Sequence, residues 1–390
     1  MISVDEALAQ LFALAHPLGT ERVCLAEAGG RVLAEAVVAG RDQPPFPASA
    51  MDGYAVKGVE AEPDALFKVI GQSRAGARFD GRVGAGQAVR IFTGAPVPEG
   101  ADRIVIQEDV TREGELIRLA RDLDPGPYIR PAGMDFVAGA RLEAPRRLGA
   151  RELALIAAMN AGKVTVARRP EVALIATGDE LVMPGETPGP DQIIASNAFG
   201  LKPMLEAAGA TVRILPIARD DEASLRTVFG LAQGADLIVT IGGASVGDHD
   251  LVAPVAAELG MEQSFYKVAM RPGKPLMAGR LGGAAMVGLP GNPVSSLVCG
   301  LVFLVPMLRA MQGLPADPAP RLEAPLAEPI PANGPREHYM RALVDETGIR
   351  PLPAQDSALL TMLSRANALI VRPVSDPARA AGDTITYIPL

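Results

Sequence analysis

Three polar loops carrying glycine follow apolar, β-branched runs, and each could bind an anion. They are Thr177-Gly178-Asp179-Glu180; Gly242-Gly243-Ala244-Ser245-Val246-Gly247, running on to Asp250; and Gly288-Leu289-Pro290-Gly291-Asn292-Pro293, which opens a helical pattern containing Ser295. Glycine lets backbone N–H groups approach an anion closely, and a helix N-terminus adds partial positive charge. Singly, each reads equally well as a turn with a helix cap. Three at one edge of a sheet favour a phosphate-bearing ligand. GGASVG lacks the Lys-Ser/Thr of a P-loop, and Gly84-Ala85-Gly86 lacks the third glycine of a dinucleotide fingerprint, which disfavours a Walker-held triphosphate and NAD.

The strongest cationic cluster is Lys267, Arg271 and Lys274 in YKVAMRPGKPLMAG. It is either a solvated strand end or, because Pro272-Gly273 fixes a turn between two of the cations, a site for a multiply charged anion. Carboxylates stand in complementary loops: Asp179, Glu180, Asp220 and Asp250, with Asp52 and Asp135 earlier. Beside phosphate loops such groups hold Mg²⁺ through oxygen. Asp220 reads equally as an N-cap. His16, His249 and His338 are scattered, none is placed beside a nucleophilic Ser or Cys, and they read as surface residues.

The elements that would position these groups follow from periodicity. Ser3 and Glu6 form a capping box, and Val4, Ala7, Leu8, Leu11 and Phe12 recur on one helical face. From about 22 to 141, short β-branched runs broken by Gly and Pro predict mostly antiparallel strands, followed by a helix over 150–162 and the strand KVTVA. From Pro170, strands and helices alternate, with Asn197 expected to cap one helix and Asp220–Asp221 to open another. This alternation predicts a mainly parallel sheet covered on both faces, whose ligands gather at the carboxyl ends of the strands. After Gln312 a Pro-rich connection leads to short strands that read as a small β domain.

With 390 residues, 48% hydrophobic and 21% charged, the chain can bury several cores. Gly 41 and Pro 35 make up about a fifth of it, which implies many turns. A net charge of −8 makes nucleic acid a poor partner. Two cysteines, Cys24 and Cys299, build neither a disulfide framework nor a Cys-rich metal site and suit a reduced cytoplasmic setting. The opening MISVDEALAQLFALA is acidic where a secretory signal is basic. The apolar stretch 297–307 is shorter than the ~20 residues of a bilayer span and reads as a buried helix, so no membrane association is expected.

SAMDGYAV, IFTGAPVPEGAD, IRPAGMDFVAG, ATGDEL, GGASVGDHD, RPGKP and GLPGNPVSS occur in this order along the chain. Composition reads the first two only as turns. Together the seven resemble the MoeA family of molybdopterin molybdenumtransferases, related to the E domain of gephyrin, over nearly the whole chain. The resemblance implies a four-part subunit: an elongated mixed domain (1–21, 38–50 and 139–169), a β-rich domain (22–37 and 51–138), an α/β molybdopterin-binding domain (170–315) and a C-terminal β domain of barrel type (316–390). It implies an elongated homodimer with its cleft between the α/β domain of one subunit and parts of the other. It also implies the adenylyltransferase that would supply the substrate, and molybdoenzyme maturation factors, as candidate further partners.

The implied reaction inserts molybdate into adenylylated molybdopterin and releases AMP with Mg²⁺ assistance. By motif, the site would include Asp52, Thr93, Arg130 and Asp135; Glu180, Asp220, Asp250, Lys267, Arg271 and Lys274; and Arg341 and Ser357 in HYMR and QDSALL. Thr177, Gly178, Gly242, Gly243, Ser245, Gly247, Pro290, Gly291, Asn292 and Ser295 would take the pterin phosphate and adenylate. Arg271, Lys274, Arg341 and Ser357 would hold molybdate; Asp52, Glu180 and Asp250 would hold Mg²⁺. Arg271 stands where some relatives carry Lys, and Ala368 where a glycine is common. A molybdopterin adenylyltransferase would need only the central segment, and a non-catalytic scaffold would not need the charged set.

Overall fold

The computed structural model describes residues 1–243 and 251–390. The N-terminal helix Val4–Leu14 is closed by its capping box, with Glu6 N–H donating to Ser3 Oγ at 3.1 Å and Ser3 N–H to Glu6 Oε2 at 2.7 Å. Its apolar stripe, Val4, Ala7, Leu8 and Leu11, packs into the α/β core among Val172, Phe303 and Met307. The first residues therefore belong with the α/β layer and not with the elongated domain. An apolar stripe shows that a face is covered but not by what.

Strands Thr20–Cys24, Lys163–Ala167, Val32–Leu33 and Arg146–Arg147 form one sheet in that order. The helix Ala150–Ala158 closes it over Leu33, Leu148, Ile156 and Val166. Residues 22–37 thus fold with 139–169, which corrects their expected place beside 51–138. The β-rich unit is a six-stranded sheet ordered Arg103–Ile106, Gly53–Val56, Gln87–Ile91, Leu66–Ser73, Leu116–Leu119 and Val110–Glu113. It is antiparallel except where Leu66–Ser73 runs parallel to Gln87–Ile91.

The α/β unit orders its strands Thr211–Ile214, Glu171–Ala176, Leu237–Ile241, Ala284–Leu289, Met277–Leu281 and Met261–Tyr266. The first four are parallel and the last two antiparallel. Helix Asn197–Ala207 and the run Pro293–Met311 cover one face; Glu222–Leu231 and Val252–Glu258 cover the other. Buried on both sides, the central strands are continuous apolar runs. The 19-residue run Pro293–Met311 is long and apolar enough to cross a membrane, with mean hydropathy 1.9 over its best 18-residue window, but 78% of that window is buried in this protein. Two caps differ from expectation. Asn197 is the first helical residue, after Ser196, and Asp221 caps the next helix by accepting from Ser224 N at 2.8 Å, which Asp220 does not.

The C-terminal sheet runs Met270–Arg271, Glu337–Asp345, Ala368–Arg372, Thr384–Pro389 and Leu322–Pro325. Its first strand comes from the α/β unit, pairing Arg271 with His338 in parallel, and Tyr339, Leu369 and Val371 enter the α/β core. This shared strand welds the two units and brings the RPGKP turn beside the strand that bears Arg341.

Candidate functional site

A cavity of about 760 Å³ opens at the carboxyl ends of Glu171–Ala176, Leu237–Ile241 and Ala284–Leu289. Thr177, Gly178, Glu180, Asp220, Gly242, Gly243, Pro290, Gly291 and Asn292 line it, so the three expected loops do converge. Gly242 (φ 95°) and Gly243 (φ 59°) hold conformations that L side chains rarely adopt; a Cβ on Gly242 would lie 2.8 Å from Thr177 O, and one on Gly243 2.2 Å from Val252 Cγ2. The Thr177 hydroxyl is buried with no partner among the described residues, a state worth about 1–3 kcal/mol to relieve. Ser295 is buried inside the first helical turn, off the cavity wall. Ser245, Gly247 and Asp250 lie outside the described residues, as does His249.

The loop 290–293 is held from two sides. Asn197 Nδ2 donates to Gly291 O at 2.8 Å, and Asn292 Nδ2 donates to Ser357 Oγ at 2.9 Å. Val294 N–H adds a bond to Ser357 O at 3.0 Å. Ser357 is therefore docked on the helix start, and its neighbour Ala358 forms part of the cavity wall. A hydroxyl that accepts from an amide keeps its own proton free to donate.

Arg341 is fully buried. Its Nη2 donates to Ala354 O at 3.1 Å, while Nε and Nη1 have no partner among the described residues. Burial holds this guanidinium below the ordinary arginine value; Asp356 opposes that shift and Arg271 adds to it. Arg271 and Lys274 are exposed on the adjoining turn, and the Lys267 ammonium sits 5.3 Å from the Tyr266 ring. None of these cations lines the cavity, whose nearest share of that turn is Pro275. His338 is buried, contrary to the surface reading, and burial with Arg271, Arg341, Arg372 and Arg336 pushes it down to about 4. At neutral pH it is uncharged.

The first-half residues form a separate group. Asp52 Oδ1 accepts from Thr93 N–H at 2.7 Å and from Thr93 Oγ1 at 2.8 Å, which hold its carboxyl below the usual range, helped by Arg90. Arg130 and Asp135 are exposed nearby in chain order, Arg130 on the strand pairing Ala48 and Asp135 bonded through its N–H to Gln43 O at 2.9 Å. None of these four lines the cavity. Of the expected trio, Glu180 lines the cavity, Asp52 does not and Asp250 lies outside the described residues; among the described residues no three His, Cys, Asp or Glu groups converge to hold a metal. Sequence reasoning missed the apolar wall of Ile193, Ile194 and Ala195, together with Ala358, because such residues carry no chemical label.

Three family models match successive parts of the chain: "MoeA N-terminal region (domain I and II)" over residues 2–160, "Probable molybdopterin binding domain" over 173–310 and "MoeA C-terminal region (domain IV)" over 323–390. A molybdopterin molybdenumtransferase of Haemophilus influenzae is 34% identical over 399 residues, covering 100% of this chain and 98% of the relative. One from Nostoc sp. is 34% identical over 389 residues, covering 95% and 89%. A crystal structure of the molybdopterin biosynthesis moeA protein from Pyrococcus horikoshii OT3 superposes with a TM-score of 0.84 at 26% identity, covering 100% of both chains.

Proposed function

Because the chain belongs over its whole length to the MoeA family, the molybdopterin molybdenumtransferases, we propose that it inserts molybdenum into molybdopterin as a transferase of molybdenum cofactor synthesis. We further take the substrates to be adenylylated molybdopterin and molybdate, with AMP released, in the cytoplasm. The observation that carries this reading is the glycine-lined cavity whose 290–293 loop is held by Ser357 of the C-terminal unit, the unit that also bears the buried, under-bonded guanidinium of Arg341.

The glycine loops suit the phosphates and adenylate. Backbone N–H groups and the start of the Pro293 helix favour negative charge there. Arg341 offers two unpartnered nitrogens, Ser357 a free hydroxyl proton, and Arg271 and Lys274 two cations, donors of the kind that would suit a tetrahedral dianion. Catalysis is then chiefly positioning and charge neutralisation. For Mg²⁺, the donor chemistry fits at Glu180 and Asp220, the carboxylates on the cavity wall, since Mg²⁺ takes one or two carboxylates and completes its shell with water and phosphate oxygens. Bound there it would neutralise phosphoanhydride charge. Asp52, Thr93, Arg130 and Asp135 lie away from this cavity in their own subunit, which supports a homodimer whose partner supplies them.

The test is AMP release from adenylylated molybdopterin, with and without molybdate, compared with ATP consumption. Molybdate-dependent AMP release without use of ATP is expected. A Lys274→Ala protein with unchanged molybdate dependence would remove Lys274 from the anion site.

A further inference from the structure

Arg90 lies opposite Tyr54 on the strand Gln87–Ile91 and takes no part in any assigned site. Its guanidinium is sandwiched 5.0 Å from the Tyr54 ring centroid and 4.9 Å from that of Phe92. Nη1 donates to Gly53 O at 3.1 Å and Nη2 to Gln107 Oε1 at 2.6 Å. Both acceptors border Asp52. Gly53 follows it in the chain, and Gln107 N–H donates to the Asp52 carbonyl at 3.1 Å. Room is scarce, because a Cβ on Gly53 would stand 2.1 Å from Val105 O. The Asp52 carboxylate is anchored through Oδ1 alone, and no hydrogen bond among the described residues reaches Oδ2.

We infer that Arg90 is the positioning residue for Asp52, fixing Gly53 after it and Gln107, whose N–H holds the Asp52 carbonyl, so that Oδ2 is presented to substrate in one orientation. The inference rests on the reading of Asp52 as a site residue. Two ring faces and two hydrogen bonds leave the guanidinium little freedom, and its charge favours the ionised carboxylate. The alternative is that the sandwich merely stabilises the sheet.

A double-mutant cycle in the full-length protein separates these. Arg90→Met should lower AMP release about tenfold or more, as expected for a misplaced catalytic group, while leaving the melting temperature nearly unchanged. In an Asp52→Asn background the same change should cost nothing further, since contacts acting through one group are not additive. Arg90→Lys, which keeps charge but loses the two-acceptor fork, should fall between. The loss in Arg90→Met should fall on kcat with the KM for adenylylated molybdopterin nearly unchanged, a split that a merely stabilising role would not produce. Additive losses, a loss confined to KM or wild-type activity in Arg90→Met would overturn the inference. Wild-type activity in Asp52→Asn would instead overturn the underlying reading of Asp52. If Arg90→Met fails to fold, Gln107→Ala carries the same cycle.

Discussion

A guanidinium out of water with two unpartnered nitrogens is costly in a folded chain, and Arg341 is kept in that state. Gln355 braces its backbone, accepting from Arg341 N–H at 3.0 Å and donating to Arg341 O at 2.9 Å, so the strand does not depend on the side chain's charge. Arg341→Met should therefore fold, and its half-saturating molybdate concentration in AMP release should rise at least tenfold, about 1.4 kcal/mol or more for a charge-assisted pair. Arg341→Lys should not rescue it, because an ammonium cannot reproduce the fork. His338 gives a second prediction. Its folded value is about 4 against the ordinary histidine value of 6.5, so the unfolded chain binds more protons between them. Stability rises with pH across roughly 4 to 6.5 and levels off above, with about 3 kcal/mol at stake. Urea titrations from pH 4 to 7 should show this slope, and His338→Gln should flatten it. Neither environment was legible in the sequence, where HYMR shows only residue types; burial comes from strands far apart in the chain.

At the scale of elements, the glycine loops carry the argument. Gly243→Ala forces a Cβ against Val252 at φ 59°, while Gly234→Ala, at φ 83°, meets nothing within 4 Å. The first should cost more stability than the second, about 2–4 kcal/mol against about 1, and should also abolish AMP release. Denaturation curves and assays on the two proteins check both halves; equal loss of activity would show that strain alone, and not the cavity wall, governs the effect. These loops were legible because a strand-then-glycine pattern is local. Pairings of two residues, such as Val32–Leu33 with Arg146–Arg147, were not. Two residues carry no period, and their partners lie over a hundred positions away, so 22–37 was grouped with the wrong sheet. The same limit hid the cover of the N-terminal helix. Its stripe was plain from Val4 to Leu11, but the face it meets is built from residues around 172 and 303.

Across the whole molecule, the assigned residues fall into two sets that a single subunit keeps apart. Glu180 and Asp220 face the α/β cavity, while Asp52 and Thr93 are anchored to each other on the β-rich sheet. If both sets serve one reaction, each cleft takes one set from each subunit of a two-fold dimer. This arrangement makes a quantitative prediction. Asp52→Asn and Glu180→Gln homodimers should each be nearly inactive, because every cleft carries a defect. After unfolding and refolding a mixture, random pairing yields about half heterodimers, each with one doubly defective cleft and one intact cleft. Activity should recover to about a quarter of wild type. Sites contained within single subunits would show no recovery at any mixing ratio, and light scattering on the same samples would report the dimer directly. The shared strand Met270–Arg271 ties the C-terminal module firmly to its own α/β unit, so Arg341 should behave differently. Arg341→Met mixed with Glu180→Gln should fail to complement, because each cleft of the heterodimer then carries one of the two defects and neither is intact.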